Sequence, residues 1–200
     1  MNAMRLYFNK TSPYARKVRA AVIELGLTDD MRMHEVDPWS DPPELLTAAP
    51  LSKVPALMLD DGLALTESEA IVRRLDRLVA EPLLYPAHVA DTDVRAALAH
   101  GVIDAAFVAV LEDRRPQDKR WDAWPARQHA AIQRALDAFE NALEPPPERF
   151  DAGDLNLAVA LGYLDFRHAA LHWRDGRPRL NTWYTRIAQR PSLVATRPES

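Results

Sequence analysis

Residues 4–8 read Met-Arg-Leu-Tyr-Phe, a short apolar and aromatic run, and residues 9–13 interrupt it with Asn, Ser and Pro. This predicts a strand followed by a loop. From Ser12 the apolar residues Ala15, Val18, Val22 and Leu25 recur in steps of three and four, and Gly26 stands where a left-handed cap would close a helix. Residues 31–36 alternate as a second strand, residues 37–43 are rich in Pro and Asp, and residues 44–48 allow only a short helical piece. Residues 54–65, VPALMLDDGLAL, predict two strands around an Asp-Asp-Gly turn. The next helix starts near Thr66, with Ala70, Ile71, Leu75 and Leu78 facing inward. The order βαβαββα describes an α/β unit closed by an antiparallel hairpin.

Beyond residue 79 the pattern changes. Residues 80–88 carry two prolines and no clean period, which predicts a linker. Residues 91–115 place Val94, Leu98, Val102, Ala105, Val108 and Leu111 at helical spacing until Pro116. Residues 124–143 repeat the pattern with Ile132, Leu136, Phe139 and Leu143, and Pro145-Pro146-Pro147 stop it. Residues 155–166, LNLAVALGYLDF, are apolar nearly all round, which predicts a helix buried in a core. Residues 179–190 make a last amphipathic helix. The expected organisation is an α/β domain over residues 1–79, a linker over 80–88 and an all-α domain over 89–200. The opening MNAM carries no structural weight.

Composition narrows the chemistry. A net charge of -4, from 25 basic and 29 acidic residues, recruits neither nucleic acid nor an anionic membrane. The absence of cysteine removes disulfides, zinc–thiolate sites and any mechanism in which the protein supplies its own thiol. The start lacks a signal-peptide apolar stretch and no run of eighteen apolar residues occurs, so a cytoplasmic protein is expected. With six glycines there is no G-x-G-x-x-G, phosphate loop or G-x-S-x-G elbow. His168 and His172 are four apart, but no acidic base lies between them, which predicts a solvated helix end and no metal site.

Three local features can bear chemistry, and each also has a plain structural reading. Ser12-Pro13 is a natural helix start, with Ser12 as N-cap and Pro13 in the first turn. The same geometry can hold a thiolate, which in this chain would have to arrive with a ligand. Val54-Pro55 opens a strand, where proline is tolerated. An ordinary trans bond explains it, whereas a cis bond would leave the backbone of Val54 open to an extended peptide ligand. Glu67-Ser68 opens a helix, and capping alone accounts for it. The alternative is an amino-acid site, with Ser68 and nearby N–H groups on a carboxylate and Glu67 on an ammonium.

Together these features, set in a βαβαββα unit followed by helices, resemble a cytosolic glutathione transferase of the serine type. The stretch DAGDLNLAVALGYLDFR resembles the family's buried helix with its capping box, with Asp151 at the cap and Asp154 three residues on. VIDAAFVAVLEDRRP and the ending RPRLNTWYTRIAQRPSLVATRP are most similar to bacterial members of YibF type.

The resemblance implies a thioredoxin-like N-terminal domain that binds glutathione and an all-helical domain that shapes a pocket for the second substrate. Ser12 matches the catalytic hydroxyl, with Thr11 as its competitor in the same turn. Val54, presented by a cis Pro55, would pair with the cysteinyl backbone, Glu67 and Ser68 would hold the γ-glutamyl end, and Lys53 would meet the glycyl carboxylate. Tyr7 is less suited than Ser12. Tyr14, Trp39 and Asp104 can line the second pocket, or can serve packing and surface instead. The implied co-substrate is glutathione, without a metal, and the implied partners are a small apolar electrophile, in detoxification, and a second copy in a homodimer. The contrasting reading is a catalytically silent relative that docks a protein partner, with a glutathione-dependent isomerase or peroxidase as a third.

Overall fold

The structure is a computed structural model that describes residues 4–86, 90–143 and 149–199. The first three residues, the last two positions of the predicted linker (87–88) and the predicted stop at Pro145-Pro146-Pro147 lie outside the described residues. The chain divides into two compact units, Met1–Val89 with Pro191–Ser200, and Ala90–Arg190.

The first unit holds β1 (Met4–Phe8), α1 (Pro13–Glu24), β2 (Met31–Glu35), α2 (Pro43–Ala48), β3 (Ala56–Met58), β4 (Ala64–Thr66) and α3 (Ser68–Asp76). The sheet order is β2-β1-β3-β4, with β1 parallel to β2 and antiparallel to β3, and β3 antiparallel to β4. Leu6, Tyr7 and Phe8 are all buried, so both faces of β1 are covered and the strand reads as continuous apolar sequence. Tyr7 packs with Val36, Leu45, Ala48, Ala49 and Ala56, which seats α2 on its face of the sheet. Alternation sends Leu6 and Phe8 to the other face. The Asp-Asp-Gly turn forms as expected: Gly62 adopts φ +86°, its N–H donates to Leu59 O (3.1 Å), and Asp61 Oδ1 accepts from Leu63 N (2.9 Å).

Two expectations in this unit change. Leu78 is 40% exposed, because α3 ends at Asp76 and the chain turns there, with the Leu78 N–H on Leu75 O. Residues 191–200, expected in the helical domain, belong to the first unit instead. They carry α8 (Pro191–Ala195), which packs on α1. Arg16 Nη2 donates to Leu193 O at 3.2 Å and Ser192 Oγ donates to Glu24 Oε1. A five-residue helix is too short for periodicity to reveal. The described part of the predicted linker is anchored: buried Asp76 accepts the N–H groups of Leu83, Leu84 and Tyr85 at 2.9, 2.8 and 2.9 Å.

The second unit is helical: α4 (Ala90–Asp113), α5 (Ala123–Ala142), α6 (Ala152–Arg167) and α7 (Pro178–Ile187). Helix α6 is buried from Ala152 to Leu164, and its predicted capping box is present: Asp151 Oδ1 accepts from Asp154 N (3.0 Å) and Asp154 Oδ2 from Asp151 N (3.2 Å). The inner face of α4 is only partly the expected one: Val102 and Ala105 are buried, but other positions change. Ala96, Ala99, Ile103, Ala106 and Ala109 are buried, while Val94 and Leu98 are exposed. Small residues let α4 approach α6 closely, and they weigh little in a hydrophobic pattern. By length and composition α4 is also apolar enough to cross a membrane, but its alanine stripe is packed inside this unit.

Candidate active site

Sheet register gathers the three sequence features at one end of the first unit. Tyr7 pairs with Ala56, and Ala56 pairs with Thr66. Carried one step further, the register sets Pro55 beside Phe8 and Glu67 on the other side of Pro55. The end of β1, the start of β3 and the end of β4 therefore share one edge, from which α1 and α3 begin. Two helix N-termini begin there, each capped by a side chain, Ser12 for α1 and Glu67 for α3, and both supply positive potential.

Ser12 is the N-cap of α1, with φ -77° and ψ 121°, and Pro13 follows in the first turn. Its Oγ accepts from Ala15 N at 3.2 Å. That bond uses a lone pair and leaves the hydroxyl proton, which has no acceptor among the described residues. Thr11 is committed differently: its Oγ1 donates to Asn9 Oδ1 at 2.7 Å and its N–H donates to the same oxygen at 3.0 Å. Asn9 in turn donates through Nδ2 to Val36 O at 3.2 Å, tying the turn to the chain after β2. Sequence reading missed Asn9, although Asn two residues before a hydroxyl residue is a recognisable Asx turn. Tyr7 is less suited because its ring packs in the core cluster with α2 and its hydroxyl accepts from Arg5 Nη1 at 3.3 Å.

The Val54–Pro55 peptide bond is cis. Val54 is half-buried against the core cluster, and among the described residues its N–H and C=O have no backbone partner. Lys53 is exposed, and Ser52 before it is in the left-handed region at φ +51°, its Oγ donating to Pro38 O at 2.9 Å. Trp39, in the short turn after β2, is 65% exposed.

At α3, Glu67 is itself the N-cap, held at φ +76°, and its Oε2 accepts from Glu69 N (3.0 Å) and Ala70 N (3.3 Å). Ser68 is buried and its hydroxyl donates to Glu67 Oε1 at 3.3 Å. The Glu67 carboxylate thus folds over the helix start. Sequence reading also missed Lys17, which is 1% exposed and pairs with Glu69 Oε2 at 2.9 Å. A lysine on a predicted outer helix face gives no signal of burial.

In the second unit the two histidines separate. α6 ends at Arg167, and His168 is buried with its Nε2 2.9 Å from Ala106 O, while His172 lies beyond in the left-handed region at φ +44°. The expected solvated helix end is therefore wrong for His168, because the chain turns inward there. Burial pulls the His168 pKa down from 6.5. Among the described residues no cluster of His or acidic side chains could hold a metal. Asp104 is exposed on α4, 3.7 Å from His100 Nε2, and Tyr14 is half-buried on α1.

A mixed sheet in this order, a cis-proline strand start, a Ser-capped first helix and an all-helical second half define a glutathione-transferase fold. Residues 11–78 match the family described as "Glutathione S-transferase, N-terminal domain", and residues 69–186 match "Glutathione S-transferase, C-terminal domain". The chain belongs to the glutathione S-transferase family. It is 31% identical over 201 residues to an uncharacterized GST-like protein, YibF, of Escherichia coli strain K12, covering 98% of each chain. Among solved structures, a glutathione transferase family member from Pseudomonas fluorescens Pf-5 with bound glutathione superposes with a TM-score of 0.89. That chain is 37% identical, over 99% of this chain and 100% of its own. A glutathione S-transferase from Methylobacterium radiotolerans in complex with glutathione sulfonate gives 0.87 at 31% identity, over 99% and 96%.

Proposed function

We propose that the chain binds glutathione and activates its thiol for attack on small apolar electrophiles, with Ser12 as the activating residue. The observation that carries this reading is the state of the Ser12 hydroxyl: an N-cap whose acceptor side is used by Ala15 N–H, at the positive end of α1, with its proton available. Glutathione-bound structures of similar chains support the ligand. In this reading the Ser12 O–H donates to the sulfur and favours thiolate over thiol, as electrostatic preorganisation does elsewhere. The thiol proton leaves to solvent, the sulfur lone pair forms a C–S bond, and the leaving group departs with its bonding electrons.

The other residues hold the peptide. Val54 pairs its open N–H and C=O with the cysteinyl backbone. Ser68 and the first amides of α3 take the γ-glutamyl carboxylate, Glu67 takes the ammonium, and Lys53 takes the glycyl carboxylate. The Glu67 carboxylate now lies over those amides, so ligand binding exchanges one carboxylate for another. A homodimer in the cytoplasm belongs to the same reading, and the exposed Val94 and Leu98 of α4 offer an apolar face for a second copy.

Calorimetric titration of the full chain with reduced glutathione tests the ligand. The reading expects saturable binding at physiological, millimolar-range glutathione. Absence of any heat or competition at such concentrations contradicts it.

A further inference from the structure

The buried ammonium of Lys17 has no part in the peptide contacts proposed above. Its side chain is 1% exposed, and the Nζ lies 2.9 Å from Glu69 Oε2. Its neighbours along α1, Ala15, Val18, Ala20 and Ala21, are all at 0% exposure, so an apolar residue would suit packing at this position. Burying an ammonium carries a large desolvation cost that only a well-placed counter-charge offsets. The chain spends this at a particular place. Lys17 stands five residues after Ser12 on α1, and Glu69 directly follows Ser68 on α3. Glu69 also donates its own N–H to Glu67 Oε2 at 3.0 Å. The ion pair therefore connects the body of α1 to the first turn of α3, through the residue that joins the Glu67 cap to the helix.

We propose that Lys17 is a positioning residue: through Glu69 it fixes the first turn of α3 relative to the N-terminus of α1, at the spacing one glutathione molecule has to bridge. This rests on the glutathione reading above. A tripeptide held at its γ-glutamyl end by α3 and at its sulfur by α1 gains from two anchors only if their separation is set before it binds. Helix packing alone leaves α3 free to shift along α1 by small steps, whereas an ion pair with one short bond at the helix start does not. Lysine packing as such would serve the fold equally well with any partner on α3. The partner here sits at the second residue of the helix, where the proposed ligand binds.

The test uses Lys17→Arg, Lys17→Met and Glu69→Gln in the full chain, with three readouts: glutathione affinity by calorimetry, thermal midpoint, and bound-thiolate absorbance at saturating glutathione. Lys17→Met and Glu69→Gln are expected to weaken glutathione binding about tenfold or more. Lys17→Arg is expected to stay within about threefold of wild type. At saturation the bound-thiolate titration of Glu69→Gln is expected to match wild type, because the Ser12 turn is untouched. If Lys17→Met fails to fold, Glu69→Gln decides, since it keeps the lysine. Wild-type affinity in Glu69→Gln, with only its thermal midpoint lowered, would overturn the proposal and leave the glutathione reading standing. A wild-type chain that does not bind glutathione would overturn both.

Discussion

Thr11 gives its hydroxyl proton to Asn9 Oδ1 at 2.7 Å, and its N–H goes to the same oxygen at 3.0 Å. The hydroxyl beside it, on Ser12, accepts from Ala15 and keeps its proton. Two adjacent hydroxyls are thus distinguished by what each has already donated. Thr11→Val removes one neutral hydrogen bond from the turn and is expected to cost about 1 kcal/mol of stability in urea unfolding. Its bound-thiolate titration is expected to follow wild type. A raised thiol pKa in this variant would move the activating role to Thr11.

Gly153 sits where α6 meets α4. A Cβ built there would lie 2.6 Å from Arg95 Nη1, 2.8 Å from its Cζ and 2.9 Å from its Cβ. Arg95 cannot simply swing aside, because its guanidinium is held by Asp151 Oδ2 at 2.5 Å and Asp154 Oδ1 at 3.0 Å. Gly153→Ala is expected to destabilise the fold by about 1–3 kcal/mol, as overpacking does. An unchanged chemical denaturation midpoint would contradict this.

Two buried groups in the second unit give stability opposite pH dependences. Burial and the neighbouring Asp151 carboxylate push the Asp154 pKa from 3.8 up to about 6, against the pull of Arg95. The folded chain then binds this proton more readily than the unfolded one, so this group stabilises progressively as pH falls through about 6 toward 3.8. His168 acts the other way. Its folded pKa lies below 6.5, so acidification below that value protonates the unfolded chain first and lowers stability. Asp154→Asn keeps an acceptor for the Asp151 N–H and is expected to steepen the loss of stability on acidification. His168→Gln is expected to flatten it. Urea unfolding across this range at constant ionic strength reads both, and superimposable profiles for wild type and Asp154→Asn would refute the assignment.

Much of this structure could be read from residue order. The βαβαββα unit, the Gly26 cap (φ +68°), the Asp-Asp-Gly hairpin and the Asp151–Asp154 capping box appear where the pattern set them. Each rests on a local rule that the fold does not override. The failures come where tertiary packing decides. Along α4 the pattern reached Val102 and Ala105, which are buried, but Val94 and Leu98 are exposed, because the first turns pack through Ala96 and Ala99, which carry little hydrophobic weight. Helix α8 is too short for a period, and its place beside α1 depends on a return of the chain that no local signal encodes. Burial of Lys17 and His168 depends on partners, Glu69 and Ala106 O, that lie 52 and 62 residues away. At the candidate site the residue types were legible, but which hydroxyl keeps its proton was not. Only the turn around Asn9 distinguishes Ser12 from Thr11.

The central claim is that Ser12 holds the glutathione sulfur as a thiolate. Ultraviolet titration of the bound thiolate, in wild type and Ser12→Ala at saturating glutathione, measures this directly. The account predicts a bound-thiol pKa well below that of free glutathione in wild type, and a rise toward the free value, of the order of one unit or more, when the hydroxyl is removed. Equal pKa values in the two proteins, with glutathione bound in both, would contradict it.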